Sequence, residues 1–181
     1  MVYIFLADGF EIVEAMAPYD MLTRAGIGVA TVGIGTCTPK SSCGIQVTAD
    51  LDGTGFVLPA DAEMVVLPGG MPGTNNLRAS AVVKAALAQA NERGLYIAAI
   101  CAAPWALDEA GLLDGKKATM YPGMEGNMKN GEYTGEPVVV DGKVITARAA
   151  GCAVLFGLTL VSLLRGEEAA AKVKAAIYPN W

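Results

Sequence analysis

The sequence predicts an α/β fold of three layers, with helices covering both faces of a mainly parallel central sheet. Three observations carry this. Short apolar, β-rich runs alternate with segments of helical period along the chain. Hydrophobic residues make up 53% of the 181 residues and charged residues 17%, a balance that suits strands buried on both faces. Parallel neighbours also need crossover helices, and the right-handedness of such crossovers distributes the helices over the two faces. A chain of this length is expected to form one domain, residues 1–181.

The unbroken apolar run VYIFLA at 2–7 reads as the first strand. In the EIVEAMAPYDMLTRAG that follows, Ile12, Ala15, Met16, Tyr19 and Leu22 recur at helical spacing until Gly26 closes the helix. Pro18 falls inside it, where its ring costs a backbone hydrogen bond, so a kink or a restart is expected there. GIGVATVGI, around 26–34, completes a β-α-β opening. Residues 36–58 are rich in Gly, Thr and Asp, and IQVTA within them reads as a short edge strand or a hairpin arm.

A third strand is expected at about 63–68, running into a glycine turn. SAVVKAALAQANERG spells a helix over 80–94 with Ser80 as its cap. LYIAAI at 95–100 is a fourth strand, and APWALDEAG is a short helix with Pro104 in its first turn. Residues 117–120 suggest another short strand. PVVVDGKVITARA is a hairpin around Asp141-Gly142, and GCAVLFGLTLVSLLRG and EEAAAKVKAAI supply the last helices.

Composition removes several function classes. The formal charge is −5, and no stretch clusters Lys and Arg with aromatic residues, so nucleic acid is not an expected partner. The N-terminal MVYIFLADGF lacks the basic start and cleavage site of a signal peptide. GCAVLFGLTLVSLL is shorter than the roughly 20 residues that cross a bilayer; no membrane association and a cytoplasmic location are expected. Cys37, Cys43, Cys101 and Cys152 form no CxxC pair and no zinc spacing, so reduced thiols and no metal are expected. Cys37 and Cys43 could approach around CTPKSSC, with two free thiols on a surface loop the expected state. The chain has no histidine, which excludes Ser-His and Cys-His dyads and leaves carboxylate, thiolate, Lys or Tyr for proton transfer.

Four strand ends carry the residues suited to chemistry: Asp8-Gly9, LPGGMPG, ICAAP and RAAGC. In an open α/β sheet such ends meet in one place. Cys101 stands directly between an apolar strand and a helix, and Ala102 and Ala103 are small enough for the sharp turn of a nucleophile elbow. Backbone N–H groups and the positive helix end there favour thiolate; the alternative is a buried cysteine acting as a small hydrophobe. Glu14 is the second candidate. It shares a helix face with Glu11, and both also read as first-turn acids beside a helix N-terminus. Glu14 lies deeper, next to Ala15 and Met16, where burial raises a carboxyl pKa and suits it to move a proton.

Gly69 and Gly70 either bring N–H groups to an oxyanion, with Gly70 and Ala102 the preferred donors, or simply make a tight turn. GGMPG does not fit GxGxxG, and the opening has no phosphate loop, so no cofactor is expected. Cys152 is expected to pack in the core. Arg148 reads either as a ligand for a substrate carboxylate or phosphate or as the partner of an acidic neighbour.

Cys101 in AAICAAPWAL, Glu14 in ADGFEIVEAMAPYDMLTRAGI, the turn VVLPGGMPGTNNL and the tail AAAKVKAAI occur in an order that resembles the DJ-1/ThiJ/PfpI superfamily, and within it the DJ-1-like branch, over essentially the whole chain. The resemblance implies a flavodoxin-like sandwich and a homodimer, for which the helical surface near Met16, Tyr19 and Met21 is a candidate interface. It also implies that Cys101 is a nucleophile and oxidation sensor, that a protonated Glu14 bonds to it, and that the backbone groups of Gly70 and Ala102 line the anion position.

The chain departs from the family at two places. The branch commonly has histidine before the proline of TMYPGM, where this chain has Tyr121, and PfpI-type proteases have histidine after the cysteine, where this chain has Ala102. Peptidase activity is therefore not expected. What the resemblance implies instead is cofactor-independent, glyoxalase-like conversion of a small 2-oxoaldehyde through a hemithioacetal on Cys101. Glu14 would shuttle the proton and Tyr121 would bond a substrate oxygen. The alternative is a non-enzymatic redox-responsive or chaperone-like dimer with Cys101 as a sulfinate. A pocket at Cys101 favours the enzyme, and one filled by Tyr121 and Met124 favours the sensor.

Overall fold

In the computed structural model, which describes residues 1–178, the first apolar run is strand β1, Val2–Ala7, with all six side chains buried. Such a run can sit only at the centre of a sheet covered on both faces. In chain order there follow α1 (Ile12–Arg24), β2 (Val29–Ile34), β3 (Leu51–Asp52), β4 (Met64–Leu67), α2 (Gly73–Ala79), α3 (Ala81–Glu92), β5 (Tyr96–Ile100) and α4 (Pro104–Glu109). The second half adds β6 (Lys117–Ala118), β7 (Glu132–Tyr133), β8 (Val138–Asp141), β9 (Val144–Ala147), α5 (Ala153–Arg165) and α6 (Glu167–Ala176).

The sheet runs β3-β2-β1-β4-β5-β9-β8, parallel except for the edge strand β8, while β6 and β7 form a separate short parallel pair. This is the mixed, mostly parallel α/β architecture expected from the sequence. The order reverses at β1, which pairs with β2 on one side and β4 on the other. Alternate residues of the strands enter two cores. Phe5, Val65, Leu67 and Ile97 pack with Leu77, Leu87 and Leu107 of α2, α3 and α4. Ile4, Leu6, Val66 and Ile100 pack with Leu22, Phe156 and Leu160 of α1 and α5. Each such side chain, fully buried, contributes about 1.5–3 kcal/mol.

Helix α1 continues through Pro18 without restarting. Its outer surface meets α5 where Gly157 faces Pro18: a Cβ on Gly157 would sit 2.9 Å from Pro18 Cα and 3.0 Å from Met21 Cβ. Gly157→Ala is therefore expected to lower stability by about 1–3 kcal/mol through overpacking. Gly151→Ala, where a Cβ meets nothing within 4 Å, is the control and should stay within about 0.5 kcal/mol of wild type in urea melts. Equal stability of the two variants would contradict this reading of the α1–α5 contact.

The structure decides one open reading and departs from expectation at two places. IQVTA is a hairpin arm: Ala49 N–H donates to Cys37 O, Val47 N–H to Pro39 O and Ser41 N–H to Ile45 O. The edge strand is instead the adjoining β3, paired with β2. Cys37 stands at the open end of this hairpin and Cys43 at its tip, both free and exposed. Helix α2 has no apolar period in GTNNLRA; Leu77, 0% exposed, is the large side chain that fastens it. Met21 belongs to the core at 4% exposure, so of the three residues offered as interface only Met16 and Tyr19 reach the surface, half-buried. Ser80 caps α3 as its residue type suggests, its hydroxyl accepting from Val83 N–H at 3.3 Å.

No helix of the described residues is long and apolar enough to cross a membrane.

Candidate active site

The C-terminal ends of β1, β4, β5 and β9 deliver the residues of one site beside the point where strand order reverses, the place where open α/β sheets bind ligands. Cys101 follows β5 directly and takes φ +65°, a left-handed conformation that strains any residue carrying a Cβ. The strained unit is held on both sides. Cys101 N–H donates to Ala147 O at the end of β9, and Cys101 O accepts from Tyr121 N–H, each at 2.8 Å. Pro104 then opens α4. This is a nucleophile elbow, and it leaves the thiol half-buried.

Glu14 reaches the thiol from α1. It is 1% exposed, its Oε2 accepts from Gly69 N–H at 2.9 Å, and its Oε1 is buried. Burial above all pushes the carboxyl up to about 7; bonding to Cys101 and Gly69 pulls it down, and the charge of Glu11 adds a small upward push. Glu11 itself accepts from Ser42 Oγ at 2.7 Å.

The thiol is pushed up to about 12, first by burial and then by the charge and hydrogen bond of Glu14, against the opposing N–H groups of Ala102 and Gly70. The thiolate expected at the helix end is thus not the resting state of the isolated pair, because desolvation outweighs two backbone donors. Glu14 loses its proton near 7 and the Cys101 thiol only near 12, so around neutrality the carboxyl passes from acid to anion while sulfur keeps its proton.

Close approach demands the two glycines. A Cβ on Gly69 would lie 2.6 Å from Glu14 Oε2 and 2.8 Å from Cys101 Cβ. Gly70 has φ +88°, and a Cβ there would lie 2.6 Å from Gly9 O. Only glycine brings the β4 loop this near the thiol.

Tyr121 approaches through its backbone, and its side chain is 47% exposed. Met124 packs against the core. Arg148 donates from Nη1 to Gly135 O at 3.0 Å and pairs with no acidic neighbour among the described residues. Cys152 is half-buried at the start of α5, more exposed than the core position expected for it. Asp8 serves the scaffold, its Oδ1 accepting from Lys40 N–H at 2.8 Å and its carbonyl from Asn76 Nδ2 at 2.8 Å. Asn76 carries no sequence signal, because its partner lies 68 residues away. A cavity of about 810 Å³ opens elsewhere, between α2, α3 and α4, lined by Leu77, Arg78, Leu87 and Glu109. No cluster of His, Cys, Asp and Glu among the described residues is suited to hold a metal.

Comparison with known proteins gives the same outline. The profile of the DJ-1/PfpI family matches residues 1–163. The Parkinson disease protein 7 homolog of Danio rerio is 37% identical over 178 residues, covering 96% of this chain and 94% of that protein. The crystal structure of Drosophila melanogaster DJ-1beta superimposes with a TM-score of 0.94 at 34% identity, covering 99% of this chain and 98% of that one. Deglycase PH1704 of Pyrococcus horikoshii is 34% identical over 164 residues, covering 88% of this chain and 96% of that protein.

Proposed function

The chain belongs to the DJ-1/PfpI family, in its DJ-1-like branch, and from that premise we propose that it converts small 2-oxoaldehydes such as methylglyoxal to 2-hydroxy acids at Cys101, without a cofactor. The family is catalytically diverse, and one relative is a deglycase. The observation that carries the reading is the meeting of the Cys101 thiol, the Glu14 carboxyl and the N–H groups of Gly70 and Ala102 at one point.

From the singly charged pair, the thiol proton passes to Glu14 as sulfur adds to the aldehyde carbon. Glu14 returns that proton to the new alkoxide, which completes the hemithioacetal. The carboxylate then removes the proton from the same carbon and delivers it to the adjacent ketone carbon through an enediolate, while the hemithioacetal O–H proton passes to the former ketone oxygen, leaving a thioester of the hydroxy acid. Water cleaves the thioester, releasing the acid and restoring the thiol. One carbon is oxidised and its neighbour reduced, so the sum is aldehyde plus water with no external electron acceptor. No Cys-His peptidase dyad can form in a chain without histidine. The working form in this reading is a cytoplasmic homodimer.

The test is lactate formation from methylglyoxal by reduced protein. Histidine is the side chain suited to accept a proton near neutral pH, so Tyr121→His is expected to raise turnover about tenfold or more, toward the roughly hundredfold gain that a well-placed general base supplies. No lactate from folded protein with a free Cys101 thiol would reject the substrate class and transfer the site to redox chemistry, with the same two N–H groups facing a sulfinate.

A further inference from the structure

We propose that Arg78 is a positioning residue for the Cys101 site, clamping together the two short helices that carry the N–H donors. The inference rests on the reading of Cys101 as the reactive group. It starts from where the donors are anchored. Gly70 O accepts from Thr74 N–H at 2.9 Å, so the Gly70 residue is built into the start of α2. Ala102 O accepts from Trp105 N–H at 3.2 Å, so Ala102 is built into the start of α4. The distance between the two donors is therefore governed by how α2 sits on α4.

Arg78 joins those helices. Its guanidinium carbon lies over Trp105, 3.2 Å from the ring centroid. Its Nε donates to Glu109 Oε2 at 2.9 Å, its Nη2 to Glu109 Oε1, and its Nη1 to Asn75 Oδ1 at 2.9 Å. Both Trp105 and Glu109 belong to α4, and Trp105 is the residue whose N–H holds Ala102. The Arg78 side chain is 17% exposed against 45% for Glu109, so the guanidinium is shielded while the carboxylate edge is wet. A planar fork that lies over a ring and makes two parallel bonds fixes orientation as lysine cannot. Asn76 ties the same helix to Asp8 O after β1, and Arg78 supplies the corresponding tie to the cysteine side.

The test is the rate of Cys101 alkylation by iodoacetamide from pH 6 to 10, resolved by mass spectrometry, with exposed Cys43 in the same molecule as reference. In Arg78→Met the Cys101 to Cys43 rate ratio at pH 7 is expected to fall about threefold or more and the Cys101 profile to move to higher pH, because separated donors stabilise less thiolate. Arg78→Lys should fall between Met and wild type. Simple loosening would instead expose the thiol, speeding alkylation at every pH without moving the profile, and that result would overturn the proposal, as would an unchanged ratio. Should Arg78→Met fail to fold, Arg78→Lys and Glu109→Gln are read in the same way, and unchanged profiles in both reject the clamp. The readout needs no turnover. A shifted profile in a protein inert toward methylglyoxal would keep the clamp and reject the substrate, and the reverse pattern would do the opposite.

Discussion

Cys101→Ser is expected to reduce lactate formation from methylglyoxal by on the order of a thousandfold or more, while the thermal transition stays close to that of wild type. Nucleophile removal has effects of this size where the remaining groups act only through it. Serine keeps the shape of the elbow and both backbone ties at Ala147 and Tyr121. Its hydroxyl, however, is too weak an acid to pass its proton to Glu14 and attack as a thiol does. Retention of more than about a tenth of the rate would place the chemistry elsewhere. Substitution by serine separates the two uses of the elbow, since it removes the nucleophile without releasing the strained backbone.

Glu14→Gln is expected to reverse part of the pH dependence of folding. The folded carboxyl titrates near 7 against an ordinary 4.5. A group raised in the folded state contributes stability that is fully present below its unfolded value and lost as pH rises through its folded value. The window is therefore about pH 4.5 to 7, and the loss approaches roughly 3 kcal/mol by pH 8. Glutamine cannot ionise, yet its amide oxygen can still accept the Gly69 N–H. Urea melts at pH 4.5, 6 and 8 should show the variant gaining on wild type by about that amount across the window. Cys101 does not confuse the result, because its upward shift removes stability only above the ordinary thiol range. A pH-independent difference would mean that Glu14 is not raised. Turnover in the same variant should fall by about a hundredfold or more, the usual weight of a positioned proton carrier.

Much of this site was legible because its parts lie at strand ends. VYIFLA, MVVL and LYIAAI are uniform apolar runs, and uniform runs can be buried only between helices. Once they are strands, Gly70 and Cys101 must project from one edge of the sheet. Glu14 was legible from its place beside Ala15 on the face of α1 that also carries Leu22. The protonation state was not legible, because it depends on competition between burial and two N–H donors, and residue types show only the donors. The helix GTNNLRA was hidden for a related reason: one leucine and a set of long-range polar ties hold it, and none of these leaves a period. Arg78, Trp105 and Glu109 likewise meet only in three dimensions, across 27 and 31 positions of sequence.

The sheet edges bear on a separate hazard, the recruitment of other chains. An exposed row of unpaired amides templates fibril growth, and long flat edges are the dangerous ones. Here one edge is β3, two residues long and bordered by the hairpin from Cys37 to Ala49. The other is β8, whose last residue Asp141 accepts from Lys117 N–H of the β6–β7 pair at 2.9 Å. A strand arriving at either side meets an interrupted ladder, so a chain more than half hydrophobic offers little on which an amyloid could start.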